Sequence, residues 1–495
     1  MIILQTTTEY RQQTEEIIAG VDRLAELVTI TTTGSSKANG QTKLLYVNKV
    51  IKPAIDWHDT LPPYLFPPLP LNSANLLALV FYFLGNHQKA FAYTKEADEL
   101  YNHLLIATNL HFNYTLSAEQ LTFLGHTSGH NLAIAHHYGQ VACPIGQQEL
   151  ASTYEAAIKN AGNLQEQLFT VKHYATFLID SGHFEKAEKL LHSMTKKTGS
   201  EAETHALNHL LAASMMARVT LPFDKARLAA IRELQLGCIA YYETLSLQLN
   251  AGLLLLEVAE IAGFAEDFIA AKKHIEKAIQ YFTAEDTPEL LGEALIRKAT
   301  LLYNWSKNGS PQYYKPAINT FQNALKVFKK DTHPQPFADI HHRLALIYSE
   351  IPVAEDERPL WAAFCASSFK EALAVYTRES FPYEYAMVCH NYATALMGFP
   401  EGKLHNNLDK AFNLFEEALT VRSAARYPLE RTLTLLNQLE LYWLLHNEDQ
   451  AAETKTLAVM QAKAEEIKQL ATDKKLLKKA AEHLHRLAEL EQLIG

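Results

Sequence analysis

Four stretches of this chain repeat one another, and this repetition limits the possible folds more than any other feature. Each stretch begins with Ala and an aliphatic residue, at Ala278, Ala324, Ala372 and Ala418, and each has a proline ten residues later. The starting points lie 46, 48 and 46 residues apart. A regular period of this length predicts a stack of similar units, in which each unit packs mainly on its neighbours.

Each unit is predicted to contain two helices. Apolar residues precede the repeated Ala at three- and four-residue spacing, as in Ala411, Phe415 and Ala418, and therefore fall on one side of a helix. The proline lies near the start of the next helix, where its missing N–H costs little. Only 19 Gly and 18 Pro occur among the 495 residues, which disfavours a turn-rich all-β fold. The sequence therefore predicts an all-α chain of helix–turn–helix units.

The residues at these positions resemble the tetratricopeptide repeat (TPR) family. In YATFLIDSGHFEKAEKLL, the small residues Ala175, Gly182 and Ala187 follow the family's pattern. The resemblance implies a TPR-like right-handed α-solenoid, a superhelix of about 8–10 helix–turn–helix pairs. The longer period, with Phe-Pro between units as in RESFPYEYAMVCHNYATAL, is similar to bacterial TPR arrays that accompany CHAT or NTPase modules. That similarity implies a regulatory role in a bacterium.

The pattern divides the chain into four regions. They are a divergent N-terminal helical segment at 1–71, divergent TPR-like repeats at 72–250, long-period TPR repeats at 251–460 and a C-terminal capping helix at 461–495. The proline-rich run LPPYLFPPLP at 61–70 is interpreted as an ordered connection across the first helices, and a polyproline ligand for another domain stays open. The extra residues of the long units, near 305–313, 349–361 and 397–407, are expected to project as loops between the two helices of a pair.

Composition disfavours several classes of partner and location. Lys plus Arg number 45 and Asp plus Glu 55, and this net charge of −10 disfavours general binding of nucleic acid. The longest apolar stretch is much shorter than the roughly 20 residues of a membrane span, and the N-terminus lacks the pattern of a signal peptide. The four cysteines form no CxxC pair. We therefore expect no membrane partner, a cytoplasmic location and reduced thiols.

Catalytic motifs are weak. Cys143 in QVACPIGQQ and the group His126, His130, His136 and His137 are the candidates for an enzyme or a metal site. The sequence contains no HExxH, no phosphate-binding GxxxxGK[ST] and no GxSxG. We expect no catalysis and no cofactor, and an enzyme built on Cys143 or on the histidines is the weakest alternative.

A binding surface is the remaining prediction. In TPR proteins the residues three before and one after the small residue of each first helix face a groove. The resemblance implies that the corresponding residues here bind a protein or peptide: Lys172, Thr176, Glu260, Thr300, His342, His390 and Thr394. The chain would then be a scaffold or adaptor. A sensor of TPR type, gated by a ligand or peptide and controlling a partner, is the second hypothesis, and self-association into a homo-oligomer stays open.

Overall fold

The computed structural model describes residues 2–32, 42–47, 49–59, 61–94, 99–399, 406–445 and 449–494. The chain divides into two compact units, which we call unit 1 (Met1–Ser246) and unit 2 (Leu247–Gly495). Among the helices in the described ranges, none has both the length and the apolar character that crossing a membrane requires.

Unit 1 begins with a five-stranded sheet. Its strands are β1 (Ile2–Thr6), β2 (Val28–Thr32), β3 (Thr42–Val47), β4 (Val50–Pro53) and β5 (Leu69–Pro70). Their order is β2-β1-β3-β4-β5; β1 is parallel to both β2 and β3, and β4 is antiparallel to β3 and to β5. One helix, α1 (Thr8–Ala19), links β1 to β2. The prediction of a helical segment over 1–71 is therefore wrong.

The strands lacked the alternating pattern that usually reveals them. Leu4 of β1, Leu44 of β3 and Ile51 of β4 are all 0% exposed, and they join one apolar core with α2 (Ser73–Phe83). β1 is paired in parallel on both sides and is buried on both faces, so its sequence forms a short apolar run without alternation. The run VTITT of β2 lies at the edge of the sheet, where its threonines are half-buried or exposed.

The rest of unit 1 is helical. After α2 its helices are α3 (His87–Ala92), α4 (Glu99–His111), α5 (Ala118–Thr127), α6 (Gly129–Tyr138), α7 (Gln147–Lys159), α8 (Leu164–Asp180), α9 (Phe184–Met194), α10 (Glu201–Met216) and α11 (Lys225–Thr244).

Unit 2 is helical throughout the residues described. Its helices are α12 (Gln248–Phe264), α13 (Phe268–Ala284), α14 (Pro288–Lys307), α15 (Tyr314–Ala324), α16 (Pro334–Glu350), α17 (Arg358–Leu373), α18 (Pro382–Met397), α19 (Asn407–Val421), α20 (Pro428–Tyr442), α21 (Gln450–Leu470) and α22 (Lys474–Ile494). Even-numbered helices from α2 to α20 are the first helices of pairs, and odd-numbered helices from α3 to α21 are the second. The predicted helical-repeat architecture is confirmed. The predicted C-terminal capping helix at 461–495 does not begin at 461, because that residue lies inside α21; the last helix is α22.

The repeated residues play the structural parts that their spacing predicted. Pro288, Pro334, Pro382 and Pro428 are each the first residue of a first helix. In the second helices α15, α17 and α19, a Phe three residues before the repeated Ala is 0% exposed, as is that Ala. Each pair therefore closes around one aromatic ring, with a small residue that lets the neighbouring helix approach.

The extra residues of the long units lie between the helices of a pair where the structure describes them. They connect α14 to α15 and α16 to α17. Most of the third predicted loop, residues 400–405, lies outside the described residues.

Candidate functional site

An extended segment of the chain lies across the helices of unit 1. It joins β4 to β5 and consists of residues 54–59 and 61–68, which we call the strap. Its aromatic side chains are buried: Trp57 is 6% and Tyr64 is 9% exposed. Trp57 packs edge-on against Phe169 of α8, with ring centroids 5.3 Å apart. The interpretation of the proline-rich run as an ordered connection is confirmed.

Two adjacent residues of the first helix α6 hold the strap by its main chain. Leu65 N–H donates to Asn131 Oδ1 at 2.8 Å, and Asn131 Nδ2 donates to the Leu65 carbonyl at 2.7 Å. His130 Nε2 lies 2.9 Å from the carbonyl oxygen of Pro63, which can only accept, so this nitrogen carries the proton. These contacts would fit many sequences, because they involve peptide groups and no side chain of the strap.

A buried lysine paired with an exposed aspartate holds the strap on the N-terminal side of these contacts. Lys172 Nζ of α8 lies 2.7 Å from both carboxylate oxygens of Asp59 and donates to the Trp57 carbonyl at 3.0 Å. The Lys172 side chain is 7% exposed and that of Asp59 is 56% exposed. The prediction that Lys172 is available to an external partner is therefore wrong, because the chain's own strap occupies it. Thr176, half-buried one turn later, donates to the Lys172 carbonyl.

Burial keeps the histidine that contacts the strap neutral. It lowers the pKa of His130 to about 4. The second ring nitrogen, Nδ1, lies 2.9 Å from the hydroxyl of Thr170. A neutral ring with the proton on Nε2 donates to the Pro63 carbonyl. Its Nδ1 then shares the one hydroxyl proton of Thr170 with the Glu166 carbonyl, which lies 2.8 Å from that hydroxyl.

Lowering the pH from 7 to 5 is expected to destabilise unit 1 through His130. An unfolded histidine has a pKa of about 6.5 and binds a proton near pH 5, whereas folded His130 stays neutral until about pH 4. Its contribution is therefore complete above pH 6.5 and is lost as the pH falls toward 4, by about 1–2 kcal/mol at pH 5. Urea unfolding midpoints measured at pH 7 and pH 5 should show that stability falls less between the two pH values in His130→Gln than in wild type. His485→Gln, at a 77% exposed side chain, is the control, and an unchanged loss in His130→Gln would contradict the assignment.

The candidate catalytic residues do not form one centre in the structure. Cys143 is exposed, between α6 and α7. His126 is exposed on α5, His130 is bonded to the strap, and His137 Nδ1 lies 2.8 Å from the Tyr154 hydroxyl. Within the part of the chain that the structure describes, no group of three or more His, Cys, Asp or Glu side chains could hold a metal ion.

In unit 2 the first helices α12, α14 and α16 border a cavity of about 590 Å³. Its floor is made of Leu, Ile and Phe side chains, and its polar lining includes Glu260, Thr300, Arg297 and Arg343. Arg297 is paired with Glu260, with Nη1 and Oε2 3.2 Å apart, whereas Arg343 is exposed. Two of the predicted site residues, Glu260 and Thr300, therefore lie in the same cavity.

One polar residue in each long unit extends this surface along the first helices. The four residues each lie nine positions after the repeated proline, and we call them the polar row: Arg297, Arg343, Asn391 and Asn437. Three of them reach back to the preceding first helix. Arg297 does so through Glu260, Asn391 Nδ2 donates to His342 Nε2 at 2.8 Å, and Asn437 Nδ2 donates to Thr394 Oγ1 at 2.9 Å. The polar row defines what we call the first-helix face of unit 2.

The remaining predicted residues support the polar row in different ways. His342 is 6% exposed, and its ring nitrogen accepts from Asn391, so the prediction that it faces a partner is wrong. Burial lowers the pKa of His342 and of His390 to about 4, which keeps both rings able to accept a hydrogen bond. His390 is half-buried, and Thr394 is exposed beside Asn437.

Sequence reasoning missed the asparagines, although a signal for them exists. The pattern H-N-x-A-x-A occurs at 130–135 on α6 and again at 390–395 on α18. Both copies lie on first helices, so Asn131 and Asn391 have the same place relative to the small residue that packs on the second helix. Comparing the two halves of the chain with each other would have identified this pair.

The fold and these faces define the class of protein: a helical-repeat protein whose first helices carry polar side chains that hold an extended polypeptide in unit 1. No family model matches the chain, and no curated protein matches it. Among solved structures, 70 chains match, and those described next are TPR proteins or resemble one in fold.

Three of these structures illustrate the resemblance. The C-terminal part of a TPR repeat-containing protein from Cytophaga hutchinsonii is 15% identical, with 62% of this chain and 98% of that chain covered and a TM-score of 0.38. A signal transduction ATPase with a TPR sensor from Pyrococcus horikoshii is 12% identical over 74% of this chain and 54% of that chain, with a TM-score of 0.48. The human IFIT1 dimer with PPP-AAAA is 14% identical over 85% of this chain and 90% of that chain, with a TM-score of 0.39. The likeness concerns the helical-repeat fold alone.

Proposed function

We propose that this chain is a non-catalytic protein-binding scaffold that holds a regulatory protein or peptide on the first-helix face of unit 2. One observation carries the proposal: in unit 1 the first helices α6 and α8 already hold an extended polypeptide, the strap, through Asn131, His130 and Lys172. Unit 2 presents polar side chains at comparable positions on its own first helices. In the ranges that the structure describes, no extended segment of the chain is bonded to the polar row.

The chemistry of the face suits a polypeptide partner. Its charges are mixed, with Glu260 and Arg297 paired and Arg343 exposed, so it lacks the cationic character that phosphate backbones require. Leu429 and Leu433 on α20 are 56% and 39% exposed. Exposed apolar side chains beside polar groups are typical of protein interfaces.

Charge reversal in the cavity is expected to abolish partner binding. A bait with Thr300→Arg and Arg343→Glu fills the cavity rim and inverts its exposed charge. The measurement is affinity purification with mass spectrometry, using wild type and this variant side by side. A partner polypeptide should be recovered by wild type and reduced at least about tenfold by the variant, which corresponds to roughly 1.4 kcal/mol of binding free energy.

A matched control separates this effect from a general change of charge. Arg378 is exposed in the turn between α17 and α18 and does not line the cavity, so Arg378→Glu should recover the partner as wild type does. Equal recovery by the cavity variant, or equal loss with Arg378→Glu, would contradict the proposed face.

A ligand-gated sensor is the second candidate, because the cavity volume of about 590 Å³ is that of a small-molecule site. Its lining combines apolar side chains with three carboxylates, Glu260, Glu266 and Glu293, and two guanidinium groups, Arg297 and Arg343, which suits a small molecule with both polar and apolar parts. A sensor would show saturable stabilisation of unit 2 by a small-molecule extract, abolished by Thr300→Arg, with no polypeptide recovered by the wild-type bait.

A further inference from the structure

The strap shows how a first helix of this chain binds a polypeptide. Asn131 uses both atoms of its amide on one residue, Leu65, and His130 bonds to the carbonyl of Pro63 two residues earlier. The bound segment is extended and proline-rich, and most of its side chains are half-buried. Recognition of this kind requires one free peptide N–H in an otherwise proline-rich run, since proline cannot donate.

Unit 2 repeats the asparagine, but among its described residues no extended segment is bonded to it. Asn391 occupies the position of Asn131 in the second copy of H-N-x-A-x-A, and Asn437 lies 46 residues later at the same place on α20. Their amide nitrogens are engaged with His342 and Thr394. Those contacts orient the two side chains and leave each Oδ1 as an acceptor, on residues that are half-exposed.

Apolar side chains flank these acceptors. Leu433 and Leu429 lie one and two turns before Asn437 on α20, and Tyr383 lies two turns before Asn391 on α18. Their exposed fractions are 39%, 56% and 39%. A row of acceptors beside exposed apolar groups fits a peptide that offers an N–H to each asparagine and apolar side chains between them.

We propose that Asn391 and Asn437 bind the main chain of an extended, proline-containing apolar segment of the partner, in the way that Asn131 binds the strap. This inference rests on the proposed function and specifies the kind of segment that the first-helix face of unit 2 takes. His390, the counterpart of His130, stays neutral and lies beside Asn437, so no charged group of the partner is needed at this point.

The test uses a fluorescent peptide with the strap's own sequence, LPPYLFPPLP, and the full-length chain. Fluorescence anisotropy should show saturable binding to wild type. The double variant Asn391→Leu, Asn437→Leu should weaken binding at least about tenfold, because two hydrogen bonds to the main chain are lost. Asn323→Leu, at an exposed position of the second helix α15, is the matched control and should bind as wild type.

A modified peptide tests main-chain recognition without altering the protein. N-methylation of the central Leu removes one of the N–H groups that the two asparagines accept, and should weaken binding to wild type by a smaller factor than the double variant does. On the double variant, the modified peptide should bind with the same affinity as the unmodified peptide. Equal binding of the two peptides to wild type, or failure of the unmodified peptide to bind, would overturn the inference.

Two further outcomes distinguish failure of this inference from failure of the proposed function. If Asn131→Leu changes the affinity for the peptide and the unit 2 double variant does not, the peptide binds in place of the strap. The assignment to Asn391 and Asn437 is then wrong. If the peptide does not bind but a partner is still lost from the Thr300→Arg, Arg343→Glu bait, the proposed function stands and only the kind of segment is wrong.

Discussion

Replacing Phe321 with alanine is expected to lower the free energy of unfolding of unit 2 by about 3–5 kcal/mol. The ring is 0% exposed and lies in a core with Leu302, Ile340 and Leu344, between the pair α14–α15 and the following helix α16. Alanine would leave a cavity that helices on both sides cannot fill, because each is also held by its next neighbour. Trp305 and Trp361 pack against this core and report its unfolding by fluorescence in urea.

The control for this experiment is a phenylalanine of the same unit that the fold does not bury. Phe364 on α17 is 45% exposed, so Phe364→Ala should cost less than about 1 kcal/mol. A similar loss for both variants would mean that the repeated aromatic ring is not the centre of the packing between pairs.

The second large effect is expected at the ion pair between Asp59 of the strap and Lys172 of α8. Asp59→Ala should destabilise unit 1 by about 2 kcal/mol, because it leaves the Lys172 ammonium group buried without its counter-ion. The value is below that of a fully buried pair, since the Asp59 side chain is 56% exposed and water already screens it. Lys172→Met removes the charge as well, so Asp59→Ala should change stability by less than about 0.5 kcal/mol in that background.

Fluorescence can follow unit 1 alone in this double-mutant cycle. Of the four tryptophans, Trp57 is the one in unit 1, and it belongs to the strap. With Trp305, Trp361 and Trp443 replaced by Phe, its emission reports strap detachment and unfolding in urea. Additive effects of the two substitutions would show that the ion pair does not hold the strap.

The helical repeats could be predicted because their signals are local. The spacing of Phe415 and Ala418, and the proline ten residues after the Ala, are set by contacts within one pair and the start of the next. The sheet could not be predicted in the same way. β1 pairs with β2, which follows helix α1, and with β3, which comes later still in the chain, so the pairing leaves no local signal. In addition, a buried parallel strand has no periodic pattern of apolar residues.

The residues of the candidate site could be predicted only in part, for a physical reason. Counting from the small residue of a first helix gives the side of the helix, and Glu260 and Thr300 do border a cavity. The same count gave Lys172 and His342, which are buried, because helix periodicity does not tell what else packs on that side. The strap covers Lys172, and Asn391 of the next first helix contacts His342.

The strap also affects the order in which the chain can fold during synthesis. Asp59 and Lys172 are 113 residues apart, whereas the contacts of the polar row in unit 2 join residues at most 49 apart. At translation rates of about 5–20 residues per second, Asp59 waits roughly 6–23 s for its lysine. The helix pairs of unit 2 can dock as each leaves the ribosome, but Trp57 and its neighbours stay exposed until α8 has been made. Slower translation between these points would therefore lengthen the time in which a chaperone, or another nascent chain, can bind this aromatic segment.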